Sequence, residues 1–181
     1  KSDCNIQTIL ENYWLWKLIR KEFYLVGRIK SIRIHGQIAF FDLEDESGKI
    51  QCFLSQKDLE NKKSYGEFLS DFDIGDFVEI RGIVFTAKQG EKTVRVREIR
   101  MITKAIRPLP EKWHGLKDIE ERYRKRYLDL LMNKDVKRSF LIRSKIIKKL
   151  RKIFDRLGFV EVETPILQLM PGGATARPFK T

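Results

Sequence analysis

The chain has little cysteine and little histidine: Cys4, Cys52, His35 and His114 are all it holds in 181 residues. Two cysteines with no CxxC spacing exclude a disulfide scaffold and a zinc ribbon, and read as reduced thiols in a cytosolic setting. Both histidines adjoin glycine, at His35-Gly36 and His114-Gly115, which reads as turn and linker rather than as a catalytic base. No Walker A loop and no dinucleotide glycine fingerprint occur. No run of about 18 apolar residues offers a membrane span. No leader with a basic start, an apolar middle and a small-residue cleavage site is visible, and Lys1 and Thr181 read as cut edges. By its residues, this chain carries neither a complete active site nor a metal site.

What is present is charge and a core. Hydrophobic residues make up 42% and charged residues 34%, a globular composition. The formal net charge is +12, from 37 Lys and Arg against 25 Asp and Glu. It is concentrated: Arg107 to Arg156 holds 17 basic and 7 acidic residues, a net +10. A local excess of that size points to a polyanion, with phosphate the usual one. A solvated helix surface laced with Lys and Arg accounts for the same charge. A membrane-surface helix fits less well, because acids interrupt the basic stretch.

Residues 4 to 19 place Ile6, Ile9, Leu10, Tyr13 and Trp14 at helical spacing, and this aromatic stripe reads as packing. Strands are expected at Phe23–Ile34, Ile38–Leu43 and Lys49–Leu54, then a helix over 56–71. Two further strands follow at Phe77–Thr86 and Thr93–Ile102. Three strands, a helix and two strands is the order of an OB-fold, a small Greek-key barrel that binds oligonucleotides on its second and third strands. Arg107-Pro108-Leu109-Pro110 then ends regular structure. The chain thus divides into a helical segment 1–22, a barrel 23–104, a linker 105–117 and a second domain 118–181. In that domain Asp118 is an N-cap with Glu121 three residues on, for a helix to about Met132. A second helix spans Phe140 to Leu157, with Gly158 as its C′ glycine. Phe159–Thr164 alternates as a strand that Pro165 stops.

One of Phe40 and Phe41 must face outward if the other faces the core. An outward ring on an OB face is a stacking platform for a base. Gln51 lies on the adjacent strand, where an amide can pair with a base edge, and Arg33 can hold a phosphate or a base edge. Two core phenylalanines and a solvated Gln51 fit the same pattern. Glu161 and Glu163 share a strand face, more simply a solvated face than an acid–base pair.

Several runs resemble class II lysyl-tRNA synthetases of the bacterial type. They are Lys104-Ala105-Ile106-Arg107-Pro108-Leu109-Pro110 and Trp113-His114-Gly115-Leu116, then Arg122 to Leu130 with its Tyr-Leu-Asp-Leu. Gly158 to Pro165 and Pro171-Gly172-Gly173-Ala174-Thr175-Ala176-Arg177-Pro178-Phe179 complete the set. The Tyr-Leu-Asp-Leu run is shared with aspartyl and asparaginyl enzymes; the last run is particular to the lysine enzymes.

The resemblance implies an all-β OB-fold barrel that grips the anticodon, followed by the first helices and strand of an α+β class II catalytic domain. Phe40 matches the phenylalanine that stacks on the central anticodon uridine. Gln51 and Arg33 match residues that hydrogen-bond that base, and Glu91 matches a glutamate that contacts another anticodon base. The helix Phe140–Leu157 and the strand ending at Pro165 match motif 1, a homodimer element, with Phe154, Gly158 and Pro165 at its interface. Gly173 and Ala174 match backbone at the edge of the lysine pocket. The implied activity is ATP-dependent, Mg2+-dependent joining of lysine to tRNA-Lys in the cytoplasm, with no membrane partner. Residues 1–22, with Trp14 and Trp16, are not a familiar lead-in. The motif 2 and motif 3 arginines and the magnesium-holding acids are expected beyond Thr181, so tRNA binding without aminoacylation is expected of this chain alone. The alternative is a stand-alone OB-fold nucleic-acid-binding protein; residues 118–181 argue against it, since a binding module needs no motif 1.

Overall fold

The computed structural model describes residues 3–109, 116 and 118–165. Contacts divide the chain into two compact units, Lys1–Leu109 and Pro110–Thr181.

The first unit opens with two short helices, α1 (Ile6–Glu11) and α2 (Tyr13–Leu18), where one helix was expected. Asn5 caps α1, its side-chain oxygen accepting from the Thr8 amide at 2.8 Å. Asn12 breaks the run: its backbone and side-chain N–H groups both donate to the Thr8 carbonyl, closing α1. Ile6, Ile9, Tyr13 and Trp16 are buried, while Trp14 is 67% exposed, so the stripe packs through Trp16 and not through Trp14.

Five strands follow: β1 (Glu22–His35), β2 (Ile38–Glu44), β3 (Lys49–Ser55), β4 (Phe77–Thr86) and β5 (Lys92–Thr103). They close into a barrel in the order β1-β2-β3-β5-β4, the closure of an OB-fold. Among the described residues only the β3–β5 pairing is parallel. Alternation sets the core: Phe23, Leu25, Ala39, Phe41, Leu43, Ile50, Cys52, Leu54, Val78, Ile80, Val84, Val94 and Val96 point inward and are buried. At Gly82 an added Cβ would lie 2.2 Å from the Arg95 carbonyl oxygen, so β4 approaches β5 there as only glycine allows. Helix α3 (Lys63–Asp71) is shorter than expected, because residues 56–62 turn before it starts. Its Phe68 ring packs on Phe41 at 5.4 Å, and the Tyr65 hydroxyl donates to the Gly36 carbonyl at 2.8 Å.

In the second unit, Asp118 caps α4 (Ile119–Arg124), accepting from the Glu121 amide at 2.7 Å. Lys125, at φ −112° and ψ 54°, leaves the helical basin, so the helix expected to reach Met132 becomes α4 and α5 (Arg126–Met132). Asp129 is fully buried and accepts from Arg122 at 2.9 Å, from Asn133 at 2.6 Å and from Arg126. Helix α6 (Lys134–Arg156) starts six residues before Phe140, and Gly158, at φ +81°, follows its end. Residues 159–165 form no strand. Alternation alone does not make one: a strand needs a neighbour for its backbone donors and acceptors, and none pairs here among the described residues.

Candidate nucleic-acid interface

The outer face of β1, β2, β3 and β5 is organised in two rows of cross-strand neighbours. The first row is Arg33, Phe40, Phe53 and Arg95, each paired in register with the next. The second is Ser31, Asp42, Gln51 and Thr93, with Phe85 of β4 beyond Thr93. Directly opposed side chains stand about 5 Å apart at Cβ, so each row is a line of touching groups.

Arg33 reaches this face because of an irregularity in β1. The register shifts between Ile29 and Ser31, which inserts one residue at Lys30. Before it, odd-numbered residues point inward; after it, Ile32 packs toward the core and Arg33 is exposed.

The first row is aromatic with a cation at each end. The Phe40 and Phe53 ring centroids are 5.1 Å apart at a 54° tilt, and Phe85 meets Phe53 edge-on at 5.7 Å. The Arg95 guanidinium lies over the Phe85 ring, 4.8 Å from its centroid. Phe40 is half-buried and Phe41 fully buried, so Phe40 is the outward phenylalanine.

The second row is hydrogen-bonded. The buried Thr93 hydroxyl donates to the Gln51 side-chain carbonyl at 3.0 Å and lies 3.1 Å from the Glu91 backbone carbonyl. With its oxygen engaged, Gln51 offers its amide N–H groups outward. Asp42 accepts from Ser31 at 2.5 Å and from Lys49 at 2.8 Å. Burial pushes its carboxyl up, but these two bonds and the nearby Lys49 and Arg33 charges outweigh that and hold it below the usual carboxylate range. Asp42 therefore stays anionic beside Gln51.

Glu91 is exposed at the end of the β4–β5 loop. That loop is closed by the Ala87 amide donating to the Glu91 carbonyl at 2.9 Å, with Gly90 at φ +84°. Phe40 is thus the cross-strand neighbour of Arg33 and the diagonal neighbour of Gln51, and the Glu91 backbone carbonyl lies beside the Thr93 hydroxyl that donates to Gln51. Phe53, Phe85, Thr93 and Arg95 join this face without having been expected there from the sequence. Phe53 was within reach, since it alternates with Gln51 on one strand. The others depend on the parallel β3–β5 pairing, which leaves no local signal.

In the second unit, Phe154 is 51% exposed and its ring meets Phe159 edge-on at 5.5 Å. Gly158 and Pro165 are exposed. No α6 residue is buried, and Ile146, Leu150, Ile153 and Phe154 line an open apolar stripe. Gly173 and Ala174 lie outside the described residues. Glu161 pairs with Arg151 at 2.9 Å, which accounts for it as a surface carboxylate.

Residues 23–102 match the OB-fold nucleic acid binding domain that serves as a tRNA anticodon-binding module, and residues 118–181 match the class II tRNA synthetases for D, K and N. Over these two segments the chain is similar to class II tRNA synthetases. Among curated relatives, the Lysine–tRNA ligase of Syntrophomonas wolfei is 50% identical over 161 residues, which is 89% of this chain and 32% of the relative. The Lysine–tRNA ligase of Histophilus somni is 48% identical over 88% of this chain and 32% of its own length. That of Clostridium novyi is 47% identical over 97% of this chain and 34% of its own length. The chain spans about a third of the length of the synthetases it matches.

Among the described residues no group of three or more His, Cys, Asp or Glu is placed to hold a metal ion. No helix among them is long and apolar enough to cross a membrane.

Proposed function

We propose that the outer face of β1, β2 and β3 reads the anticodon of a lysine tRNA, within a lysine–tRNA ligase. The observation that carries this reading is the register that sets Phe40 between Arg33 and Phe53, with Gln51 on the neighbouring row. A uracil has a π-face, two carbonyl acceptors and one imino donor. Phe40 offers the ring on which the central uridine stacks. Gln51, its own oxygen held by Thr93, donates to one uracil carbonyl, and the Arg33 guanidinium donates to the other. The Glu91 carboxylate accepts from an N–H of a second anticodon base.

In this reading residues 23–104 are the anticodon-binding domain, 105–117 the linker and 118–181 part of the catalytic domain. The α6 stripe with Phe154, Gly158 and Pro165 packs against a second copy as the motif 1 dimer element. Gly173 and Ala174 edge the lysine pocket. The whole enzyme works in the cytoplasm and uses ATP and Mg2+ to activate lysine for transfer to tRNA-Lys. That chemistry belongs to parts of the relatives that this chain does not span, and the chain alone binds tRNA without charging it.

The test is binding of the 181-residue chain to two anticodon stem-loops at fixed salt, one with UUU and one with GUC. A clear preference for UUU is expected, with no lysyl-tRNA formed from whole tRNA, lysine and ATP. Equal binding to both loops would leave a basic nucleic-acid binder and overturn the anticodon assignment.

A further inference from the structure

We propose that Arg95, laid on the Phe85 ring, grips a backbone phosphate of the single-stranded RNA whose base stacks on Phe40. The inference rests on the anticodon-face reading above and adds a second contact to it.

The other arginines on the outer surface of β4 and β5 show what a structural arginine looks like in this barrel. Arg81 meets Glu60 at 2.5 Å, Glu22 at 2.9 Å and Glu98 at 3.1 Å. Arg97 meets Glu22 at 2.5 Å, and Arg100 meets Glu79 at 2.8 Å. Arg95 differs. Its nearest carboxylate, on Asp58, stands 3.8 Å from Nε, too far for a hydrogen bond. That Nε is buried with no hydrogen-bond partner among the described residues. The guanidinium is packed on a ring, with the long ion pair to Asp58 beside it in place of the short hydrogen-bonded pairs of the other three. The side chain is 41% exposed, so with Nε buried it is the terminal amino groups that can engage an oxyanion, and the stacked ring lowers the further entropy cost of doing so.

Its place in the row says which part of a nucleotide it meets. The row reads cation, ring, ring, cation, across four neighbouring strands from Arg33 to Arg95. Bases take the apolar middle, because stacking needs ring faces. The charged backbone then runs past the ends. Arg95 is two strand spacings from Phe40, about 10 Å, within reach of a phosphate flanking the stacked nucleotide. A phosphate contact carries no sequence information; it sets where the strand lies on the face.

The experiment measures dissociation constants of the 181-residue chain for the UUU and GUC stem-loops across a salt series. Wild type, Arg95→Ala, Arg95→Lys and Phe40→Ala are compared, and thermal melts check that each variant keeps the barrel. Arg95→Ala is expected to weaken both loops by the same factor, about tenfold at low salt, and to cut the slope of log affinity against log salt by about one. Arg95→Lys is expected to restore the slope while recovering only part of the affinity, since a point charge lacks the fork. An unchanged slope in Arg95→Ala, or a loss confined to UUU, would overturn the proposal. Phe40→Ala separates the two readings. If it weakens UUU binding while Arg95→Ala does nothing, the phosphate grip alone is wrong. If it too does nothing, the anticodon-face reading fails.

Discussion

The Thr93 hydroxyl donates to the side-chain carbonyl of Gln51 at 3.0 Å, across the parallel seam between β3 and β5. A buried hydroxyl on one strand thus decides which end of an amide on the next strand faces outward. Thr93→Val keeps the shape and removes that proton. The variant should fold normally and lose about five- to tenfold of its preference for UUU over GUC, because Gln51 is then free to turn either end to the base. Stem-loop titrations of wild type and variant check this; an intact preference would mean that Gln51 is oriented by something else.

Phe40→Ala should cost about 1–3 kcal/mol of affinity for a UUU stem-loop, the value of one base on one ring. Phe41→Ala empties the core instead and should unfold the barrel before it affects RNA, since Phe41 is fully buried against Phe68. The pair of adjacent phenylalanines therefore separates a binding defect from a folding defect, read by titration and by thermal melt respectively.

Acid should loosen the barrel through Asp76. This buried carboxylate accepts from the Ala105 amide at 2.6 Å, the Asp73 amide at 2.7 Å and Lys104 at 3.0 Å, pinning the segment after β5 to the turn before β4. Burial pushes its carboxyl up, but the two backbone bonds and the Lys104 ammonium outweigh that and hold it below its ordinary value. A depressed folded-state pKa gives stability that is fully present above the unfolded value of about 4 and is lost as pH falls through the folded one. Melting temperature should fall as pH drops below about 4. Asp76→Asn should be less stable at neutral pH and show a shallower acid loss; a parallel acid loss would place the titrating group elsewhere.

Gly82→Ala should destabilise the barrel by about 1–3 kcal/mol, toward the upper end, because its Cβ would meet a backbone carbonyl that cannot rotate away. The clash is with Arg95 itself, so the variant should also weaken RNA binding for every sequence. Chemical denaturation and stem-loop titration together check both effects.

Phe154→Glu should abolish self-association of the chain if the α6 stripe pairs with a second copy. Sedimentation should show wild type moving from monomer to dimer as concentration rises, and the variant staying monomeric. Association that survives the substitution would place the contact off this stripe.

Asp129 shows how far the pattern of residues goes. A Tyr-Leu-Asp-Leu run looks like a surface helix turn, yet Asp129 is buried and collects Arg122, Arg126 and Asn133 around one carboxylate. Asp129→Ala should cost the helical segment about 1–3 kcal/mol, read as lost helicity by circular dichroism. Spacing showed that the three partners lie three to seven residues from Asp129, but not that they converge, since convergence needs the break at Lys125 and the turn into α6.

The sequence order of the strands and the long helix ending near Leu157 were legible in the chain because their apolar residues repeat with a short period. The Asp118 cap and the Gly158 stop were legible because their chemistry is local. Phe40 and Gln51 were legible as a ring and an amide on adjacent strands. The helix break at Asn12 was not, because one asparagine cannot be told from a tolerated helical residue until its side chain finds the Thr8 carbonyl. The strand expected at 159–164 was not formed, because alternation sets only which way side chains point, and pairing has to come from elsewhere in space.

By itself, then, the sequence determined the barrel, its hydrophobic filling and its resemblance to a synthetase, all of which rest on local spacing and residue type. Only the tertiary structure decided the face. The extra residue at Lys30 turned Arg33 outward, and the parallel β3–β5 seam brought Thr93 to Gln51 and Arg95 to Phe53. These are register effects. A slip of one residue flips a side chain to the other side of a sheet, and nothing within a single strand fixes which register its distant neighbour takes.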